Sequence, residues 1–351
     1  MPDAIWIDRE DELPALARAL ESQAWIGVDT EFLRERTFFP KLCLLQLAAD
    51  DRIWCVDTLR IGNLGALMSA LTAAGVRKVI HAARQDLEAV YLTSRRVMSP
   101  VFDTQIAAGC TGLAPQIGYA ALVKTLLDVT VPKGQTRTDW SKRPLTPEQL
   151  HYAADDVLYL PEIAERLAQR LRALGREHWV AEDCSALEDQ RLYEPDPSQA
   201  WVRLRGLAQL PPPSRARAKA IAVWREGQAR ARDLPRAWIL PDAAIFSVAE
   251  GAPPPLNEGL AASLMGALEQ TANDPRDEEP VHDARPTPEQ KAVIERLGKI
   301  VALRAADLGV SPEILAPRGE LKALAMGKRG SHALAGWRRE EIGMRLLEAI
   351  G

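Results

Sequence analysis

Trp25-Ile26-Gly27-Val28-Asp29-Thr30-Glu31-Phe32 is an apolar run that ends in two carboxylates one residue apart. Trp, Ile, Val and Phe around a single Gly read as a buried β-strand. Side chains alternate along a strand, so Asp29 and Glu31 project from the same face. Two acids on one face of a core strand repel each other and resist burial unless a cation sits between them. A hard divalent cation, which takes oxygen ligands, is the simplest such partner. A lone Asp-x-Glu is more often a solvated strand end. The reading therefore turns on whether the chain supplies more carboxylates for the same spot.

Bulk properties narrow the classes. A chain of 351 residues is too long for one comfortable core, so two or three domains are expected. An apolar share of 47% and a charged share of 26% are ordinary for a soluble globular protein. The formal net charge of -4 gives no global polyanion-binding signature, so a nucleic-acid partner has to meet a local basic surface. Cys43, Cys55, Cys110 and Cys184 are scattered without a C-x-x-C pair, which fits free thiols in a reducing compartment and argues against structural zinc. The start MPDAIWIDREDEL lacks a basic segment and an apolar signal core, and no apolar run is long enough to span a membrane. A cytoplasmic protein without a membrane partner is expected.

Working outward, Ala4–Ile7 is a short strand candidate, and a helix is expected over about 10–22. Residues 42–49 (LCLLQLAA) and 52–56 read as two buried strands around the turn Asp50-Asp51, and 78–82 as a fourth. Short connections favour antiparallel neighbours, whereas a helix over about 62–73 makes the fourth strand parallel by a crossover. Helices follow from about 85 to 92, near 104–110 and over 118–127. Thr146-Pro147-Glu148-Gln149 opens a long helix to about 172, with Thr146 as N-cap and Pro147 at its first position. The result is α/β, a mixed sheet flanked by helices. Tyr193-Glu194-Pro195-Asp196-Pro197 reads as a boundary, and the chain is helical beyond it. Between Arg203 and Arg236 there are nine Arg/Lys residues against two acids. Residues 274–283 (DPRDEEPVHD) read as an acidic linker. The expected domains are 1–194, 195–273 and 284–351. The two helical units are alike in size and class, as a divergent duplication would leave them, though without a clean sequence period.

Two further segments offer carboxylates. Asp86 lies just past the fourth strand, near the start of a helix, where α/β sheets place ligands. Tyr152 and Asp156 are four residues apart on the long helix and so share a face. Asp155 and His151 are spaced so that periodicity alone does not select the acid, or the choice of His or Tyr, that faces the site. Four carboxylates on a mixed sheet suit two divalent ions, which stabilise the attacking and leaving oxygens in phosphoryl transfer. A nearby phenol orients or helps deprotonate the attacking water.

Three segments carry a resemblance: VDTEFLRERTFFPKLCLLQLA, HAARQDLE and RTDWSKRPLTPEQLHYAADDVLYLP, in that order. They resemble the motifs of the ribonuclease D family, DEDD-type 3′-5′ exonucleases of the branch that uses tyrosine. AWVRLRGLAQLPPPSRARAKAIAVWREGQARARDLPRAWILPDAAI resembles the HRDC helical domain, and the segment with GVSPEILAPRGELKAL and LAGWRREEIGMRLL resembles a second, divergent copy. The resemblance implies a ribonuclease H-like exonuclease domain followed by two small all-α domains. It implies that Asp29, Glu31, Asp86 and Asp156 bind two divalent metal ions, Mg²⁺ or Mn²⁺. Asp29 would bridge both, Glu31 and Asp156 would complete one site, and Asp86 would hold the other, partly through water. Tyr152 would position the nucleophilic water. The family's Tyr-x-x-x-Asp spacing selects Asp156 over Asp155. The histidine branch places its His five residues before the last Asp, a spacing His151 meets, but the RTDW…RPLT segment and the helical appendages favour tyrosine and leave His151 as a surface residue.

The implied activity is release of nucleoside 5′-monophosphates from RNA 3′ ends, with tRNA precursors and other small structured RNAs as partners and no obligatory protein partner. A single-strand DNA exonuclease and a non-catalytic nucleic-acid-binding protein are the alternatives. Phe32, Lys133, Arg137 and Arg143 are candidate substrate contacts, the cations as phosphate holders. Phe38 and Phe39 are equally readable as base-stacking or core residues. Of Trp201, Trp224 and Trp238, interleaved among Leu, Ile and Val, most are expected in a core.

Overall fold

The computed structural model describes residues 4–132, 134, 138–271 and 286–350. Among the described residues the apolar runs form six strands: β1 (Ile5–Ile7), β2 (Trp25–Leu33), β3 (Lys41–Ala49), β4 (Arg52–Val56), β5 (Arg77–Ile80) and β6 (Val101–Asp103). They make one sheet in the order β1-β4-β3-β2-β5-β6. β3 and β4 are antiparallel across the Asp50-Asp51 turn, whereas β1 with β4, β2 with β5, and β5 with β6 are parallel. The sheet is thus mixed, as the connection lengths predict. β3 is buried along all but its first residue, which is why its sequence reads as a continuous apolar run.

The helices α1 (Leu13–Glu21), α2 (Gly65–Leu71), α3 (Arg84–Ser94), α4 (Thr104–Cys110) and α5 (Tyr119–Leu127) follow the periodicity closely. The long helix expected from 146 to about 172 is broken. α6 (Pro147–Leu158) ends at Tyr159, whose φ of -95° and ψ of -5° leave the helical track, and α7 (Leu160–Leu174) continues after it. Pro161 is one cause, since it has no N–H to give the Val157 carbonyl. α8 (Glu177–Leu187) completes this part. Past it lie α9 (Pro212–Arg232), α10 (Arg236–Ile239), α11 (Asp242–Ala249) and α12 (Glu258–Thr271). The last segment holds α13 (Pro288–Leu308), α14 (Pro312–Leu315), α15 (Arg318–Ala325), α16 (Gly336–Arg338), a wide helical turn over 339–343, and α17 (Met344–Ile350).

Compactness does not follow the linear boundaries expected from sequence. Among the described residues, one unit comprises those of 4–32, 42–193 and 286–350, and the other those of 33–41 and 194–271. In the first, the C-terminal helices share a core with the sheet domain: Leu297, Val301, Leu321 and Trp337 belong to the same apolar cluster as Val157, Leu167 and Trp179. Trp337 stacks on Trp179, and Arg338 makes paired bonds of 2.5 and 2.8 Å to the Asp183 carboxylate. In the second unit, Trp201 and Trp224 are core residues, whereas Trp238 is 60% exposed. Phe38 packs on that core, and the Phe38 and Phe39 N–H groups donate to Asp233 at 3.1 and 3.0 Å. The basic run of this unit is largely engaged within it. Arg225 bonds Asp242 and the Leu240 carbonyl, Arg236 bonds Glu226, and Lys219 lies over the Trp201 ring.

α9, α10 and α11 are 21, 4 and 8 residues long, and α13, α14 and α15 repeat 21, 4 and 8 in the same order. Each long helix begins at proline and ends at a left-handed residue, Asp233 or Gly309. Among the described residues, no helix is long and apolar enough to cross a membrane.

Candidate active site

Ile26 and Val28 of β2 enter one core cluster and Trp25 packs on the other, so alternation puts Gly27, Asp29 and Glu31 on the Trp25 face. β5 pairs with β2 only through Gly27, so the acidic end of β2 runs on beside the turn that leaves β5. That turn needs Ala82 at φ 58°, and the Asp103 carboxylate fixes it by accepting from the Ala82 and Ala83 N–H groups at 3.1 and 2.8 Å. α3 then begins with Asp86 in its first turn. α6 opens with the capping box expected of Thr146 and Gln149. Four residues apart on it, Tyr152 and Asp156 share one helix face, and the phenol acts on the Asp156 carboxyl to lower it.

Carboxylate oxygens of Asp29, Glu31 and Asp156 all lie within 4.8 Å of one another. The geometry therefore brings Asp156, not Asp155, to the strand acids. Burial first, then the charges of Asp86, Asp156 and Glu31, push the Asp29 carboxyl well above its usual range. Burial and the charges of Asp156 and Asp86 push Glu31 up to about 9. Burial likewise raises Asp156 to about 7, against the lowering effect of the Tyr152 phenol. Asp86 stands beside this triad. It is buried, raised to about 7 mainly by desolvation, and its carboxylate accepts a 2.6 Å bond from the Thr30 hydroxyl. Carboxyls raised by burial and by one another either keep protons near neutrality or take up a cation. Three oxygens at this spacing fit the coordination sphere of a hard divalent ion.

Tyr152 is held on its other side. A Cβ added at Gly134 would lie 2.9 Å from the Tyr152 ring, so the Gly134 backbone rests against the phenol, and the Trp140 ring is 6.1 Å away between centroids. Burial and the Asp156 and Glu31 charges raise the phenol far above its ordinary range. Those neighbours keep the Tyr152 phenol protonated.

Comparison with known proteins places the chain in a family. Residues 4–172 match a 3′-5′ exonuclease family model and residues 214–267 an HRDC domain model. Ribonuclease D of Xanthomonas oryzae pv. oryzae is 38% identical over 98% of both chains. The chain belongs to the ribonuclease D family. Ribonuclease D of Gluconacetobacter diazotrophicus is 35% identical, covering 97% of this chain and 91% of that one. The crystal structure of Escherichia coli RNase D, described as an exoribonuclease involved in structured RNA processing, superposes with a TM-score of 0.90 at 27% identity over 99% of both chains. As a ribonuclease D-family enzyme, the protein is a 3′-5′ exoribonuclease.

The other expected contacts fare differently. Phe32 is half-buried and packs on the core below β2. Arg143 is not a free phosphate holder. Its Nε and Nη2 close on Asp57 at 2.7 Å each, Nη2 also reaches the Cys43 carbonyl, and Nη1 donates to the Trp140 and Lys142 carbonyls. All five guanidinium donors are thereby engaged in the fold. Lys133 and Arg137 lie outside the described residues. His151 is exposed, one residue before Tyr152 on the rim of a shallow cavity that Pro132, Gly134 and Asp155 also line. Sequence reasoning passed over Thr30, Asp103 and Gly134. Thr30 alternates to the opposite face from its acidic neighbours, and the partners of the other two come from distant segments.

Proposed function

We propose that this ribonuclease D-family enzyme removes nucleotides one at a time from RNA 3′ ends, with divalent ions at Asp29, Glu31, Asp156 and Asp86, and releases nucleoside 5′-monophosphates. The observation that carries the reading is the meeting of the Asp29, Glu31 and Asp156 carboxylate oxygens within 4.8 Å of one another, with Tyr152 one helical turn before Asp156. Bound there, two Mg²⁺ or Mn²⁺ ions would supply charge neutralisation and Lewis acidity. Asp29, Glu31 and Asp156 would hold the cation, and the Thr30 hydroxyl donates to the Asp86 carboxylate beside them. Tyr152, fixed by Asp156, Gly134 and Trp140, orients the attacking water through its phenol. Small structured RNAs, tRNA precursors among them, are the substrates we favour.

Domain-wise, we read 1–194 as the exonuclease, 195–273 as one HRDC-like unit and 284–351 as a divergent second copy. The repeated helix lengths of 21, 4 and 8 support the duplication. A cytoplasmic setting is supported by four buried cysteines, none of them in a disulfide. Digestion of 5′-labelled and 3′-labelled RNA beside single-stranded DNA of the same sequence tests the activity. Stepwise shortening from the 3′ end with mononucleotide release from RNA is expected. Internal fragments, or preference for DNA, would contradict it.

A further inference from the structure

The break between α6 and α7 has a second cause besides Pro161. The Tyr119 hydroxyl donates to the Asp155 carbonyl at 2.9 Å and accepts from the Tyr159 N–H at 3.4 Å. Asp155 and Tyr159 are the two ends of what would be the next helical rung, so a side chain from α5 has inserted into the ladder. The insertion falls one residue from Asp156, in the last turn of α6.

The kink it stabilises is pressed against β2. A Cβ at Gly27 would sit 2.9 Å from the Val157 carbonyl oxygen, 3.1 Å from Leu160 Cβ and 3.2 Å from Pro161 Cδ. Gly27 is two residues before Asp29 and on the same strand face. The close approach that needs a glycine at 27 therefore sets the distance between the helix bearing Asp156 and the strand bearing Asp29. Tyr119 is itself anchored: its ring packs on the core, 5.9 Å from His81, whose two ring nitrogens are bound by Thr104 Oγ1 at 2.9 Å and the Ile117 carbonyl at 3.0 Å.

We propose that Tyr119 is a positioning residue for the metal-binding carboxylates, its hydroxyl replacing the missing rung between Asp155 and Tyr159 and so holding Asp156 against Asp29. The inference rests on the metal-dependent function proposed above. Tyr119→Phe keeps the ring and removes only the bridge. In the full-length protein, Mn²⁺ binding followed by calorimetry or electron paramagnetic resonance is expected to weaken by about 10-fold, in the range for loss of an outer-shell partner. The kcat on labelled RNA should fall with it, while KM for RNA stays within about twofold because no substrate contact is touched. Gly27→Ala, which wedges the same joint from the strand side, should give the same signature and decides the matter if Tyr119→Phe does not fold. A lowered melting temperature with wild-type Mn²⁺ affinity and kcat would overturn the inference and leave the hydroxyl a purely structural group. Wild-type protein that binds no Mn²⁺ and degrades no RNA would instead sink the proposed function, and this inference with it.

Discussion

The indole of Trp337 lies flat on that of Trp179, with ring centroids 4.0 Å apart and planes 10° from parallel. Trp179 belongs to α8 of the sheet domain and Trp337 to the C-terminal helices, and each is 2% exposed. The Trp337 N–H and indole Nε1 also reach Glu182 and Asp183, at 3.0 and 3.2 Å. A contact this enclosed makes the last helices part of the nuclease core. Trp337→Ala should destabilise the folded unit by about 3–5 kcal/mol, the usual cost of emptying a buried tryptophan site. Denaturant unfolding checks this, and a loss below about 1 kcal/mol would contradict it.

In the proposed mechanism, Tyr152→Phe removes the phenol that orients the attacking water. Its kcat should fall by about 100-fold, as misplacement of a reactant does, with RNA binding little changed. His151→Gln should retain activity near wild type, because that side chain faces solvent. Steady-state kinetics on labelled RNA separate the two. Collapse of His151→Gln with survival of Tyr152→Phe would reverse the assignment.

Stability of the metal-free protein should fall as pH rises. Glu31 is raised to about 9 and Asp86 and Asp156 to about 7, whereas in the unfolded chain such carboxyls titrate near ~4. Between those values the unfolded chain has released protons that the folded protein keeps, so increasing pH favours unfolding until about 9. In chelator, the melting temperature should be higher at pH 5 than at pH 8. Mg²⁺ should restore more stability at pH 8, where its ligands are deprotonated. A chelator-treated protein whose melting temperature climbs across that window would refute the account.

Arg143→Ala should act on stability rather than on RNA. Its partner Asp57 has a side chain only 1% exposed, and removing one member of such a pair strands the other, at about 3–5 kcal/mol. The salt dependence of RNA binding should keep its wild-type slope, since a phosphate contact would change it by about one unit.

What the sequence disclosed, and what it withheld, divides along locality. β2, β3 and β4 were legible because their apolar runs and two-residue alternation are local properties. Asp29 with Glu31, and Tyr152 with Asp156, were legible because strand and helix spacing alone puts each pair on one face. The break at Tyr159 was not, because Pro161 is tolerated at a helix start and the inserting hydroxyl comes from Tyr119, far back in the chain. The phosphate role read into Arg143 failed for the same reason, since Asp57 claims it from 86 residues away. The core that Trp337 and Leu297 share with Val157 and Trp179 was not legible either, because no local pattern pairs residues so far apart in the chain.

The most direct test of the central claim is mononucleotide release from end-labelled RNA in Mg²⁺ by Asp29→Asn beside wild type. Asn keeps the size of the side chain and removes the charge that the triad offers a cation. The account predicts loss of activity on the order of 10³-fold or more, as for other groups that stabilise transition-state charge. Release by Asp29→Asn at the wild-type rate would contradict it.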